Sequence, residues 1–173
     1  RIVIRNRDLT ELFLETINCE FLTTLSKSSF SSDQLAILKI RNLEMNEFPD
    51  IKHILALNSC KNMVCFTLME IFVKQRLVNE DNDDILDNLQ KLFRSMENLK
   101  HMKIGHFTTP ALLDIISDNV DSLEMFKVVS EFLEVEELEG FFFNCSNLMT
   151  LEGKVGAEYS FIHLEKRKII FIF

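Results

Sequence analysis

The most reactive side chains in this 173-residue chain are four cysteines, Cys19, Cys60, Cys65 and Cys145, and four histidines, His53, His101, His106 and His163. A thiolate beside an imidazole is a minimal nucleophile and base. Cys65 and His101 fall in equivalent positions of neighbouring segments, which makes them the pair to test for that chemistry. The pair would also need a third group to orient the base and a pocket that excludes water. An open sheet supplies neither, so Cys65 reads as a small apolar filler. His101 and His106 lie five residues apart across a strand and its turn, a poor geometry for one metal. No H-E-x-x-H or C-x-x-C pair accompanies them. The acidic run Asn79, Glu80, Asp81, Asn82, Asp83 and Asp84 lacks the glycine and the closing glutamate of a calcium loop. It reads as a solvated loop that caps a helix starting near Ile85. Gly105, Gly140, Gly153 and Gly156 are the only glycines and cannot assemble a phosphate loop. The G-x-x-G string from Gly153 to Gly156 matches an RNA-binding loop only by accident on so acidic a chain. These readings point to a non-enzymatic protein with no metal and no cofactor.

Acidic residues number 27 against 19 basic ones, a net charge of −8, which argues against an electrostatic grip on nucleic acid or on an anionic membrane. At 47% hydrophobic and 27% charged the composition is that of a globular domain. The length suffices for a sizeable core without disulfides. Four cysteines without a C-x-x-C spacing are expected to be reduced thiols of an intracellular protein, cytoplasmic or nuclear. The apolar runs are too short to span a bilayer. The chain opens on Arg1 rather than Met and closes on the apolar run Ile169 to Phe173, so it reads as a piece of a longer protein.

A repeat positions these residues. The pattern L-x-x-L-x-L occurs as Leu9, Leu12, Leu14; Leu35, Leu38, Ile40; Met63, Phe66, Leu68; Leu99, Met102, Ile104; and Leu123, Phe126, Val128. A sixth, degraded copy is Leu148, Leu151 and Gly153. The starts at 9, 35, 63, 99, 123 and 148 are spaced by 26, 28, 36, 24 and 25 residues. Between the runs the apolar spacing is helical, at Ile51, Ile54, Leu55 and Leu57, at Ile85, Leu86, Leu89, Leu92 and Phe93, and at Leu112, Leu113, Ile115 and Ile116. Pro110 suits a first helical turn, and Thr108 or Thr109 a cap. The acidic stretch Glu131 to Glu139 is expected to form an outer helix with Phe141 to Phe143 packed beneath it. Each unit is a short strand followed by a returning helix, and neighbouring units must stack to bury their apolar faces. The strings NSCKNM, RSMENL, DNVDSL and NCSNL read as variants of one helix-to-strand turn.

On these residues the chain resembles leucine-rich-repeat proteins, and in particular the cysteine-containing repeats of F-box leucine-rich-repeat proteins. There a C-x-x-L turn introduces each repeat, matched here by Cys60 to Met63 and by Cys145 to Leu148. The ninth repeat position, Asn or Cys in the family, holds Ile17, Leu43, Ile71, Phe107, Glu131 and Gly156. The resemblance implies an α/β leucine-rich-repeat solenoid, with a curved parallel sheet on the concave side and helices on the convex side. About six units would fill residues 1–152, with an irregular cap or tail over 153–173. From their own sequence, Tyr159, Phe161, Ile162 and Leu164 are expected either to form a capping strand that pairs with Ile169 to Phe173, or to belong to a tail that is disordered or an exposed, aggregation-prone edge. The implied role is the substrate-receptor portion of an F-box-type ubiquitin ligase, with an adaptor bound through an F-box upstream. The alternatives are the repeat domain of an intracellular nucleotide-binding leucine-rich-repeat sensor, and an enzyme-inhibiting or scaffolding horseshoe.

In such a sheet the residues between the apolar ones face the concave surface. The expected partner-binding set is Phe13, Lys39, Arg41, Thr67, Met69, His101, Lys103, Met125 and Lys127. Its middle column reads Phe13, Lys39, Thr67, Lys103, Lys127 and Glu152, a basic stripe on an acidic protein, as an acidic or phosphorylated protein partner would require. The competing interpretation is an ordinary solvated lysine face.

Overall fold

Alternating apolar residues bury one face of a strand, and a carbonyl left free at one strand edge must find a donor on the next. Both rules are visible in the structure, a computed structural model that describes residues 10–18, 20, 21, 35–45, 61–73, 83–157 and 160–166. The chain is α/β. Its elements run β1 (Glu11–Asn18), β2 (Ile37–Met45), β3 (Cys65–Val73), α1 (Asp83–Arg94), β4 (His101–Ile104), α2 (Pro110–Asn119), β5 (Met125–Ser130), α3 (Val135–Asn144), β6 (Thr150–Val155) and β7 (Ser160–Glu165). The strands form one open sheet in sequence order, parallel from β1 to β6, with β7 antiparallel on β6.

The register aligns the apolar pattern from strand to strand. Leu12, Leu38, Phe66, Met102, Phe126 and Leu151 form one row, and Leu14, Ile40, Leu68, Ile104, Val128 and Gly153 the next. Apart from Gly153, these residues are part of a single buried apolar cluster. Leu35, Met63, Leu99, Leu123 and Leu148, in the turns entering the strands, are buried too. Over this face lie α1, with Leu89, Leu92 and Phe93 inward, α2, with Leu112, Leu113 and Ile116, and α3, with Leu138, Phe141 and Phe142. Each helix touches the next, and Arg94 Nε donates to Asn119 Oδ1 at 2.8 Å between α1 and α2.

The junctions repeat. The carbonyl just before a strand accepts two N–H groups from the following unit: Thr10 from Ala36 and Ile37, Ala36 from Val64 and Cys65, Val64 from Lys100 and His101, Lys100 from Glu124 and Met125, and Glu124 from Met149 and Thr150. The helix-to-strand turns at 97–98, 121–122 and 146–147 close through Leu99 N–H to Met96 O, Leu123 N–H to Val120 O and Leu148 N–H to Cys145 O. Their polar residues tie each turn to the preceding one. Asn98 Nδ2 donates to Lys61 O at 2.7 Å, Ser122 Oγ to Leu99 O at 2.8 Å and Asn147 Nδ2 to Asp121 O at 2.7 Å.

Local details depart from the sequence expectations. Thr109 occupies the N-cap of α2 without a side-chain capping bond, while the Thr108 hydroxyl donates to Gly105 O at 2.7 Å. Phe141 to Phe143 do not lie beneath the acidic helix; they form its last turns, with Phe141 and Phe142 inward and Phe143 71% exposed. A Glu134–Glu137 capping box starts this helix. β6 carries the sheet past residue 152 to Val155, and residues 160–165 pair with β6. The expected partner of that strand, 169–173, lies outside the described residues, as do Leu9, Cys60, the helix at 51–57 and the loop at 74–82.

Thr16, Asn42 and Glu70 all have left-handed backbone, with φ of 51°, 53° and 50°. They occupy the same position in β1, β2 and β3, where the pairing skips from Glu15–Arg41–Met69 to Ile17–Leu43–Ile71. The extra residue reverses the alternation, so Ile17 packs on the core and Leu43 is buried in it. A β-branched residue is the poorest of the three here, since its Cβ crowds the carbonyl at positive φ. Thr16 is exposed, so removing its side chain forfeits little packing. Thr16→Gly is expected to raise the unfolding free energy by about 1 kcal/mol in urea denaturation. A decrease would show that Thr16 is unstrained.

Candidate functional site

With helices over one face, the opposite face of the sheet carries the remaining side chains. Its central column follows the register Phe13, Lys39, Thr67, Lys103, Lys127, Glu152 and His163, one residue per strand. The flanking columns bring Arg41 beside Met69 and His101 beside Met125. All nine residues expected to bind a partner therefore lie on this face, but they differ in availability. Phe13 is 58% exposed, and Arg41 and His101 are exposed. Lys39, Met69, Lys103, Met125 and Lys127 are half-buried. Thr67 is buried, at 6% exposure, between the flanking lysine strands.

The cations are not equivalent. Lys39 Nζ sits 4.8 Å from the centre of the Phe13 ring, a cation–π contact, and among the described residues no carboxylate lies within 4.0 Å of it. Lys127 Nζ lies 2.6 Å from Glu152 Oε2, and His163 Nδ1 lies 3.9 Å from the other oxygen of the same carboxylate. The hydrogen bond from Lys127 holds the Glu152 carboxyl below the usual carboxylate range. The charges of Lys127, His163 and Lys103 add to that effect, against a desolvation penalty. Among the described residues Lys103 has no carboxylate within 4.0 Å. In line with the columns of Lys39 and Lys103, β3 presents the uncharged Cys65, Thr67 and Met69, and its exposed Glu70 stands at the left-handed position that follows them.

Cys65 and His101 are Cα partners across β3 and β4. Burial pushes the Cys65 thiol above its ordinary pKa, more than the nearby Lys39 charge and the Thr67 hydrogen bond pull it down. Cys145, on the opposite layer, is pushed up to about 11, by burial first. Both thiols are therefore held protonated at neutral pH, the reverse of an activated nucleophile. Among the described residues no group of three or more His, Cys, Asp or Glu side chains could hold a metal ion. No described helix is long and apolar enough to cross a membrane.

Two polar groupings escaped the sequence reading. His163 joins the column because β7 folds back on β6, a pairing that a lone apolar strand does not announce. Ser130, fully buried at the end of β5, donates to Thr108 O at 2.6 Å and accepts from Phe132 N–H at 3.1 Å. It ties two strand-to-helix loops together one residue before Glu131, the position of the asparagine or cysteine ladder that the resemblance implies. A serine after the two valines that end the apolar run of β5 was its only trace. No family model matches the chain, and no curated protein matches it in sequence.

Proposed function

We propose that this chain is a non-enzymatic protein-recognition module, a leucine-rich-repeat solenoid whose open sheet face holds an acidic segment of a partner protein. One observation carries the reading: a seven-residue column crosses the open face and includes three lysines, second, fourth and fifth in order, on a chain of net charge −8. A sheet with helices over part of one face, among the described residues, and partly exposed apolar and cationic side chains on the other suits docking. The stacked strand-turn-helix units and their repeated junction hydrogen bonds support the solenoid. Within that reading the chain is the substrate-receptor portion of an F-box-type ubiquitin ligase.

Charge reversal tests recognition directly. With Lys39, Arg41 and Lys103 all replaced by glutamate, affinity for a fluorescent acidic peptide is expected to fall at least about tenfold at low salt, and its salt dependence to flatten. Unchanged affinity with an unchanged salt slope would reduce the stripe to a solvated face. Co-recovery of a cullin-ligase adaptor with the full-length protein tests the ligase setting. Recovery of one stoichiometric target without ligase components favours an inhibitor or scaffold.

A further inference from the structure

The cationic stripe is interrupted from within. Of its three lysines, Lys127 alone is closed by an ion pair, to Glu152 at 2.6 Å, among the described residues. Glu152 is the next residue of the same column, on the next strand. It occupies the place a partner's carboxylate would take if an acidic segment continued along the stripe. The remaining charges, Lys39 and Lys103, stand on either side of β3. Strands lie about 4.8 Å apart, so their backbones are separated by about 10 Å. The trough between them is neutral: Cys65 and Met69 are half-buried, and the Thr67 hydroxyl is buried and engaged with the Cys65 thiol.

This layout discriminates between anions. A phosphate is held by several donors converging on its oxygens. Two lysines either side of a neutral strand do not converge, and the one pair on adjacent strands, Lys103 and Lys127, is closed by Glu152. A carboxylate needs only one ammonium, and the neutral trough accepts an apolar side chain between two such contacts.

We propose that Glu152 is an internal stand-in for a partner carboxylate: it closes Lys127, ends the binding stripe at β4, and so selects a segment with carboxylates flanking an apolar residue seated over β3. This rests on the recognition role argued above and supplies the chemistry of the partner.

The test uses a fluorescent peptide of two glutamates, a leucine and two glutamates, with a phosphoserine peptide as comparison, measured by anisotropy. Glu152→Gln, at a half-buried position, with circular dichroism as the check that the fold is unchanged, is expected to tighten glutamate-peptide binding about threefold to fivefold. That is the upper range for an exposed ion pair. It should also steepen the salt dependence by freeing Lys127. Adding Lys127→Met to Glu152→Gln restores the wild-type net charge and should return the affinity to the wild-type value. If Glu152→Gln leaves affinity unchanged while the Lys39, Arg41 and Lys103 reversal abolishes it, Glu152 is no stand-in and the recognition role survives. If no variant binds, both fail. Phosphoserine peptide binding more than tenfold tighter than the glutamate peptide overturns the carboxylate assignment.

Discussion

Phe126→Ala is expected to lower the unfolding free energy by about 3–5 kcal/mol, the range for emptying a fully buried aromatic site. Phe126 is completely buried in the middle of the inward row, between Met102 and Leu151. Its ring centre lies 4.9 Å from that of Phe141 in α3, with the planes at 48°. The one side chain therefore joins sheet to helix layer and β4 to β6, and no neighbour can relax into the gap without leaving its own row. A loss of that size is a large fraction of a typical domain's stability of about 5–15 kcal/mol. Phe132→Ala is the control: Phe132 is 55% exposed, and its truncation is expected to change stability by less than about 0.5 kcal/mol. Urea denaturation followed by circular dichroism measures both. Equal effects would mean that Phe126 does not fill the core between sheet and helices.

Gly153→Leu, which restores the repeat's missing leucine, is expected to destabilise rather than stabilise, by about 3 kcal/mol, the upper range for overpacking a filled core. A Cβ built at Gly153 would lie 2.6 Å from Leu138 Cδ1 and 2.7 Å from Ile162 Cγ2. Ile162 is the cross-strand partner of Gly153 on β7, and its side chain fills the slot a leucine would have taken. Cγ2 is attached to Ile162 Cβ and cannot swing aside as a longer side chain can, so β7 itself must move. Hydrogen exchange is expected to show β7 amides losing protection first, and Ile162→Ala should recover part of the loss through coupling of adjacent sites. Wild-type stability in Gly153→Leu would mean that Ile162 does not occupy the slot. The sixth copy of the repeat departs from the pattern because the sheet ends there: the antiparallel β7 supplies the apolar group in place of a residue of β6.

The sheet was legible in detail. The pattern L-x-x-L-x-L combines a period of two with a leading residue in the turn, and both are local properties. Aligning copies of the pattern predicted every parallel pairing from Leu12–Leu38 to Phe126–Leu151. The same alignment placed Cys65 beside His101 and Lys103 beside Lys127. The helix-to-strand turns were legible because their sequences repeat, and their hydrogen bonds repeat with them.

By itself, then, the sequence determined the α/β class, the order and register of the parallel strands, and the faces taken by the residues within each L-x-x-L-x-L copy, since all of these follow from spacing within one unit. Only the tertiary structure decided which of the aligned lysines remain available. Lys127 and Lys103 are indistinguishable by pattern, yet Lys127 meets Glu152 from 25 residues away in the chain, a pairing that depends on side-chain reach across β5 and β6. It also decided that β7 turns back onto β6, bringing His163 to the column and Ile162 to Gly153. The left-handed residues Thr16, Asn42 and Glu70 share no residue type, and their common backbone arises because each strand's bend must match its neighbour's to keep the ladder bonded. Periodicity records which way a side chain points; what it meets there depends on neighbours brought together by folding.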